Sequence, residues 1–413
     1  MGLDENNIKE YLANTPQITF EITERCNLSC LYCGYGKLYS NRGDRQGRSL
    51  SVTNAITFLD YLKDLWENGV DTQGNAQLIV SFYGGEPLLN IDFITQVVDY
   101  IEKHLAGYNR MFTYSMTTNA LLLSKYINYL VDKNFRLLIS LDGDEVGSSL
   151  RVTPNGKPAF NKIIKEVDYV ASSYPNFFRN NVEFNSVLNS RTSIKDIITY
   201  IRGRYGKFPT ISEINTDGVN PEERENFLLL YKKKWLDDSL YYEQDTESFI
   251  NHPQFERVAR YILMHSPYTY LDYNELLFDN RTQRKELPTG TCFPFVKKAF
   301  ITVTGNIMPC ERINYRYTLG KIDEYGVHID FAKIAEKYNM YYEKVRPTCD
   351  KCSNNNGCLC CMFSNGQLDT PQCKCSYFMT PQDAIAMKNE VWDFLKRFPK
   401  AYSYIMNSYE VII

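Results

Sequence analysis

The sequence predicts an α/β protein, a partial (β/α)6 TIM barrel followed by a small cysteine-rich α+β domain. Three observations carry that expectation. Six short β-branched runs alternate with helical apolar periodicity between about 18 and 218, the pattern of repeated βα units on a parallel sheet. The 413 residues exceed one ordinary domain of roughly 100–200 residues. The twelve cysteines are divided, with three at 26, 30 and 33, none in the next 258 residues, and nine between Cys292 and Cys375.

A polar N-terminal segment, 1–16, precedes the first strand. Strands are expected at 18–23, 77–83, 111–118, 135–141, 182–188 and 210–215, each a run of β-branched and aromatic residues. Between them Ile56, Leu59, Leu62 and Trp66, or Ile94, Val97, Val98 and Ile101, recur at helical spacing. Six units over 17–218 make an open barrel, whose chemistry belongs on loops at the C-terminal strand ends. Asn220-Pro221-Glu222-Glu223 reads as a helix start, with a capping side chain, proline at the first position and acids in the first turn. A helical linker is expected over 219–287, with Lys232-Lys233-Lys234 on its solvated face. A hairpin over 299–308 opens the cysteine-rich domain, 288–378, and one C-terminal helix over 379–413 carries Ala384, Met387, Val391 and Leu395.

Composition narrows the function. Lysine and arginine number 46 against 49 acids, a net charge of −3, which excludes nucleic-acid binding through bulk positive charge. No apolar run approaches the roughly 20 residues of a membrane span, so no membrane partner is expected. Cysteine is far below the density of a disulfide scaffold, and no signal peptide opens the chain. A reducing cytoplasm is the expected compartment, where grouped cysteines point to metal.

Cys26-Asn-Leu-Ser-Cys30-Leu-Tyr-Cys33 follows the first strand directly. Thiolate is the standard ligand of a [4Fe-4S] cube, and three ligands leave one iron open to a small chelating molecule. A structural zinc site wants four ligands, and none of the four histidines, at 104, 252, 265 and 328, lies near in sequence. This element, with an aromatic before its third cysteine, resembles the signature of the radical S-adenosylmethionine superfamily. Further elements match in order: Tyr83-Gly84-Gly85-Glu86-Pro87 after the second strand, Thr117-Thr118-Asn119 after the third, Ser140-Leu-Asp142-Gly143 after the fourth, then Arg151, and Val187-Leu188 on the fifth.

The resemblance implies that Cys26, Cys30 and Cys33 hold a cluster. It implies further that Tyr32, Gly84, Gly85, Glu86, Asn119, Ser140, Arg151 and Leu188 contact S-adenosylmethionine, with Glu86 near the methionine ammonium and Arg151 toward its carboxylate. Ser148-Ser149 stands where sulfatase-maturing relatives commonly carry His-Asp.

Cys292, Gly305, Cys310, Cys349, Cys352, Cys358, Cys360, Cys361, Cys373 and Cys375 resemble the SPASM extension, a cluster-binding domain of radical enzymes that act on peptides. The resemblance implies two auxiliary [4Fe-4S] clusters. One would use Cys349, Cys352, Cys358 and one of Cys373 or Cys375; the other Cys292, Cys310 and one or both of Cys360 and Cys361. The family spacing after Cys358 lands on Met362, and 286–291 lacks the extra cysteine of sulfatase-maturing relatives. Taken alone, the spacing also fits a four-cysteine zinc ribbon. Glu311, directly after Cys310, stands where such relatives place an acidic base; a salt bridge to Arg312 is the plainer role.

The function so implied is reductive cleavage of S-adenosylmethionine, then hydrogen abstraction from a residue of a ribosomally synthesised precursor peptide, giving a crosslink, thioether or other oxidised residue. The cofactors supply the hard chemistry and the protein orients it. Expected partners are the peptide or protein substrate and a reducing donor such as flavodoxin or ferredoxin; since the barrel begins at Ile18, leader recognition is left to the barrel mouth, the 219–290 region or a separate leader-binding partner. Sulfatase maturation through formylglycine is the alternative enzyme reading, and a zinc-bearing peptide recruiter the non-enzymatic one.

Overall fold

In a computed structural model the structure describes residues 2–40, 45–70, 76–108, 110–234, 237, 248–252, 254–265, 290–353, 358, 360–363, 368, 375 and 377–408. The chain forms two compact units. One comprises Leu3–Lys234 with Cys292–Ala335, the other Met1–Gly2, Trp235–Thr291 and Glu336–Ile413. Among the described residues no helix is long and apolar enough to cross a membrane.

The first unit is built on β1 (Gln17–Thr23), β2 (Ala76–Gly84), β3 (Arg110–Thr118), β4 (Arg136–Ser140), β5 (Val182–Leu188) and β6 (Thr210–Glu213), all parallel and paired in sequence order. After α1 (Glu5–Ala13), the crossovers carry α2 (Val52–Glu67), α3 (Ile91–His104), α4 (Leu123–Asp132), α5 (Phe160–Ser173) with the short α6 (Pro175–Asn181), and α7 (Ile194–Tyr205). Six βα repeats are therefore present as expected; β1 is buried on both faces, whereas β3, β4 and β5 alternate buried with part-exposed residues. Phe20 and Phe82, paired across β1 and β2, meet Phe93 of α3 on the helix side. Their neighbours Glu21 and Tyr83 consequently face the barrel interior.

Four further strands continue the same sheet. β7 (Ala299–Ile301) pairs parallel with β1, and β8 (Asn306–Met308), β9 (Gly320–Asp323) and β10 (Gly326–Ile329) follow antiparallel. Residues 299–329, grouped with the cysteine-rich domain on sequence, thus cover the edge of β1, where unpaired backbone groups would otherwise face outward. The helix expected after Asn220 begins as a 3-10 turn, Pro221–Glu223, with Asn220 accepting from Glu222 N at 3.1 Å, and continues as α8 (Arg224–Leu230). The lysines expected on its solvated face lie beyond its end. Lys233 is exposed as expected, whereas Lys232 donates to Thr192 O at 2.9 Å and Lys234 to Ile211 O at 3.0 Å.

In the second unit, α9 (Phe255–His265) lies within the predicted linker, much of which falls outside the described residues. Its Phe255, Val258, Ala259 and Ile262 pack with Val391, Phe394, Ala401 and Ile405. These last belong to α11 (Pro381–Arg397) and α12 (Pro399–Ser408), two helices where one was expected. Pro399 offers no N–H and bars its predecessor from the helical region, so Phe398 sits at φ −125, ψ 73. α10 (Phe331–Cys349) ends on a cysteine.

Candidate cluster and cofactor site

The loop carrying Cys26, Cys30 and Cys33 leaves β1 and is tied down by backbone. Ser29 N donates to Val152 O at 2.7 Å, Leu31 N to Leu150 O at 3.0 Å and Cys33 N to Cys30 O at 3.0 Å. Leu28 N lies 3.4 Å from Cys26 Sγ, and Asn119 Nδ2 reaches the same sulfur at 3.7 Å and Asn27 Oδ1 at 2.7 Å. Burial pushes the Cys30 thiol up to about 12, against the pull of Arg151. Among the described residues, no three His, Cys, Asp or Glu side chains are grouped as a single-ion site. The donor set at this loop is thiol only, with N–H groups aimed at sulfur, which fits an iron–sulfur cluster. Binding one would release the thiol protons.

Gly84 and Gly85 serve this loop rather than open space. A Cβ on Gly84, whose φ is +140, would stand 2.3 Å from Thr23 O, and one on Gly85 2.2 Å from Arg25 O. Only glycine lets the β2 exit press against the backbone leading to Cys26, where Gly85 N donates to Thr23 O at 2.8 Å and Glu86 N to Arg25 O at 2.9 Å. Glu86, expected near the cofactor ammonium, is 1% exposed and accepts from Thr118 Oγ1 (2.8 Å), Asn119 N (2.8 Å) and Leu88 N (3.1 Å). It therefore ties the β2 exit to the β3 exit.

Burial raises the Glu86 carboxyl to about 7, although those three donors pull the other way. Between the ordinary carboxylate range and pH 7 the folded apoprotein holds a proton that the unfolded chain has lost. Its contribution is full at low pH and fades as pH rises to about 7, by about 3 kcal/mol. Apoprotein melting temperatures measured from pH 4.5 to 8 should fall along this limb, and Glu86→Gln should flatten it; an unchanged slope in the variant removes Glu86 as the cause.

The exits of β4 and β5 meet at Asp142, a residue to which the sequence assigns no role. Wholly buried, it accepts from Arg151 Nε at 2.9 Å, Arg151 Nη2 at 2.7 Å, Val187 N at 2.8 Å and the Tyr32 hydroxyl. The Arg151 guanidinium lies 5.6 Å from the Tyr32 ring centroid, and its charge is fixed by this carboxylate. Ser148, where relatives place a charged pair, accepts from Asp142 N and donates to Gly143 O, each at 3.2 Å. Ser140 ends β4 in register with Asn185, and Leu188 ends β5 fully buried. The loop after Cys33, which carries four cations, is paired rather than open: Lys37 with Glu223 (3.4 Å), Arg45 with Glu21 (2.8 Å) and Arg48 with Glu24 (2.8 Å). Arg42 lies outside the described residues.

Glu311 is half-buried and pairs with Lys298 at 3.2 Å, with Arg312 at 3.9 Å. Burial raises its carboxyl, but Lys298 foremost, with Arg312, brings it below its ordinary value. The plainer role foreseen for it is thus present, with Lys298 as the main partner. In the other unit Cys349 has Cys358, Cys375 and Cys352 as its charge neighbours, and Cys360 has Cys375, Cys358 and Cys361. Cys375 and Cys360 sulfurs stand 4.0 Å apart. Met362, where the family spacing lands, is buried, its N–H donating to Thr291 Oγ1 at 2.7 Å. Cys373 lies outside the described residues, and Cys292 and Cys310 belong to the barrel unit.

Comparison with known proteins agrees with this geometry. Residues 20–182 match the profile of the Radical SAM superfamily. An uncharacterized protein of Methanocaldococcus jannaschii is 28% identical over 218 residues, 52% of this chain and 66% of its own length. A cysteine-type anaerobic sulfatase-maturating enzyme of Clostridium novyi is 27% identical over 53% of this chain and 59% of its own. The radical SAM cyclopropyl synthase TigE of Paramaledivibacter caminithermalis is 26% identical over 54% and 44%. The chain thus spans less than two thirds of each of these relatives. The solved structure of native anSMEcpe with bound AdoMet shares the fold, with a TM-score of 0.59 at 18% identity over 95% of this chain and 99% of that one. The cysteine loop at the exit of the first strand of a six-strand parallel barrel thus lies within the stretch, residues 20–182, that matches the Radical SAM superfamily.

Proposed function

We propose that this enzyme binds S-adenosylmethionine at the Cys26–Cys33 loop and abstracts hydrogen from a residue of a peptide, maturing a ribosomally synthesised precursor. The observation that carries the reading is the thiol-only loop at the β1 exit, bonded to the Leu150–Val152 segment beside Arg151. A [4Fe-4S] cluster there, with S-adenosylmethionine, supplies the one-electron cleavage that generates a hydrogen-abstracting radical. The chain's own part is to hold three thiolates, to donate N–H groups to Cys26 through Leu28 and Asn119, and to aim Arg151 at an anionic group. Cys349, Cys352, Cys358 and one of Cys373 or Cys375 are the favoured ligands of an auxiliary cluster, on their spacing in the chain. Cys292 and Cys310 are reserved for a second one. Flavodoxin or ferredoxin is the favoured electron donor.

Anaerobic reconstitution with iron and sulfide, followed by reduction, tests the reading. The expected result is a brown protein forming 5′-deoxyadenosine from S-adenosylmethionine; a colourless protein carrying zinc and no iron overturns it. Sulfatase maturation is the second reading, favoured by Glu311 next to Cys310. Offering the purified enzyme a short precursor peptide encoded beside it, and a sulfatase peptide bearing the target cysteine or serine, separates the two. If Glu311 is the base on the substrate, Glu311→Gln lowers peptide turnover by about a hundredfold and leaves cleavage of S-adenosylmethionine intact. Equal turnover in the variant assigns Glu311 to its pairing with Lys298 alone.

A further inference from the structure

We propose that Asp142 is a positioning residue that locks the cysteine loop to Arg151, so that cluster and S-adenosylmethionine meet in one register. Asp142 is 0% exposed and touches no ligand space of its own. An ionised carboxylate offers about four acceptor positions, and the four donors here use them in pairs. One oxygen takes the Tyr32 hydroxyl and Arg151 Nε at 2.9 Å. The other takes Arg151 Nη2 at 2.7 Å and Val187 N at 2.8 Å.

The donors come from three places far apart in the chain. Tyr32 lies between Cys30 and Cys33, Arg151 follows the 3-10 turn Gly147–Leu150, and Val187 is on β5. Asp142 is the atom set they share. The bidentate fork fixes the plane of the guanidinium and leaves its remaining Nη1 edge as the part that can be turned to a ligand. The Tyr32 bond then fixes the cysteine loop against that same plane. Two backbone bonds, Ser29 N to Val152 O and Leu31 N to Leu150 O, run parallel to it and prevent the loop from sliding. Arg151 and the Cys30–Cys33 turn therefore move together. Charge points the same way, because a guanidinium this buried needs a buried anion, and Asp142 is the carboxylate that meets it.

The inference rests on the radical SAM reading, so the wild-type protein is measured first. If reconstituted wild type binds neither iron nor S-adenosylmethionine, the reading itself fails. Given that it binds both, Tyr32→Phe removes only the hydroxyl that reaches Asp142 and keeps the arginine fork. The expected result is wild-type iron content, a dissociation constant for S-adenosylmethionine raised about tenfold, the size of one charge-assisted hydrogen bond, and a weakened cofactor-induced change in the electron paramagnetic resonance spectrum of the reduced cluster. Tyr39→Phe is the control. It removes a neighbouring hydroxyl that donates to Asn215 O at 2.7 Å, away from Asp142, and should move neither quantity. Tyr32→Phe with wild-type affinity and spectrum overturns the inference, even if its melting temperature drops, because that is what a purely structural bond would do. An equal effect in both variants overturns it as well.

Discussion

Replacing Cys30 with alanine should abolish 5′-deoxyadenosine formation while iron bound elsewhere in the chain stays in place. Under the proposed ligation two thiolates cannot hold a cube whose fourth iron must stay open, so the site would lose about four irons and with them the proposed S-adenosylmethionine chemistry. The fold should survive. Cys30 is only partly buried against Tyr32, Leu38, Tyr39 and Leu150, and trimming one sulfur from such a contact costs about 1 kcal/mol. Iron and sulfide analysis with product chromatography decides the matter, and continued cleavage by the variant would falsify the ligand assignment.

Gly85→Ala should be nearly as damaging, for a different reason. The added methyl would stand 2.2 Å from Arg25 O and 2.8 Å from Glu24 O. Both are backbone atoms, so no side-chain rotation relieves the overlap. The β1 exit must shift, and with it the Arg25 carbonyl that accepts from Glu86 N and leads directly into Cys26. A cost of about 3 kcal/mol is expected from overpacking of this kind, seen as a lower apoprotein melting temperature together with poor cluster retention. Gly107→Ala, at a position where a Cβ meets nothing within 4 Å, is the matched control. Wild-type melting and iron content in Gly85→Ala would show that the β2 exit does not brace the cysteine loop.

These two expectations differ in how readable they were. Cys30 stands in a spacing that is visible in eight consecutive residues, and its chemistry follows from thiol type alone. Gly85 also lies in a legible motif, but the sequence points its missing side chain toward a ligand, whereas the fold points it toward Arg25. Glu86 repeats the lesson. A carboxylate after two glycines reads as a group for a cationic ligand, yet its acceptor positions go to Thr118 and Asn119, more than thirty residues away and adjacent only because β2 and β3 pair in parallel. Asp142 stands in a legible motif, but its role is not legible there, because its four donors come from 110 residues upstream to 45 downstream.

Local pattern alone predicts the six βα repeats, the place of the cysteine triplet at the first strand exit, and the superfamily that this triplet resembles. Those features are local: strand and helix periodicity, turn residues and ligand spacing are all written within a few residues of one another. Long-range packing sets the rest: β7 extends the barrel sheet beside β1, Glu86 is an internal tie, Lys298 holds Glu311, and Asp142 joins Tyr32 to Arg151. Each of these depends on strand register and on which buried polar atoms find partners across the fold. A buried donor or acceptor must be satisfied by whatever lies within about 3 Å, and chain distance carries no information about that.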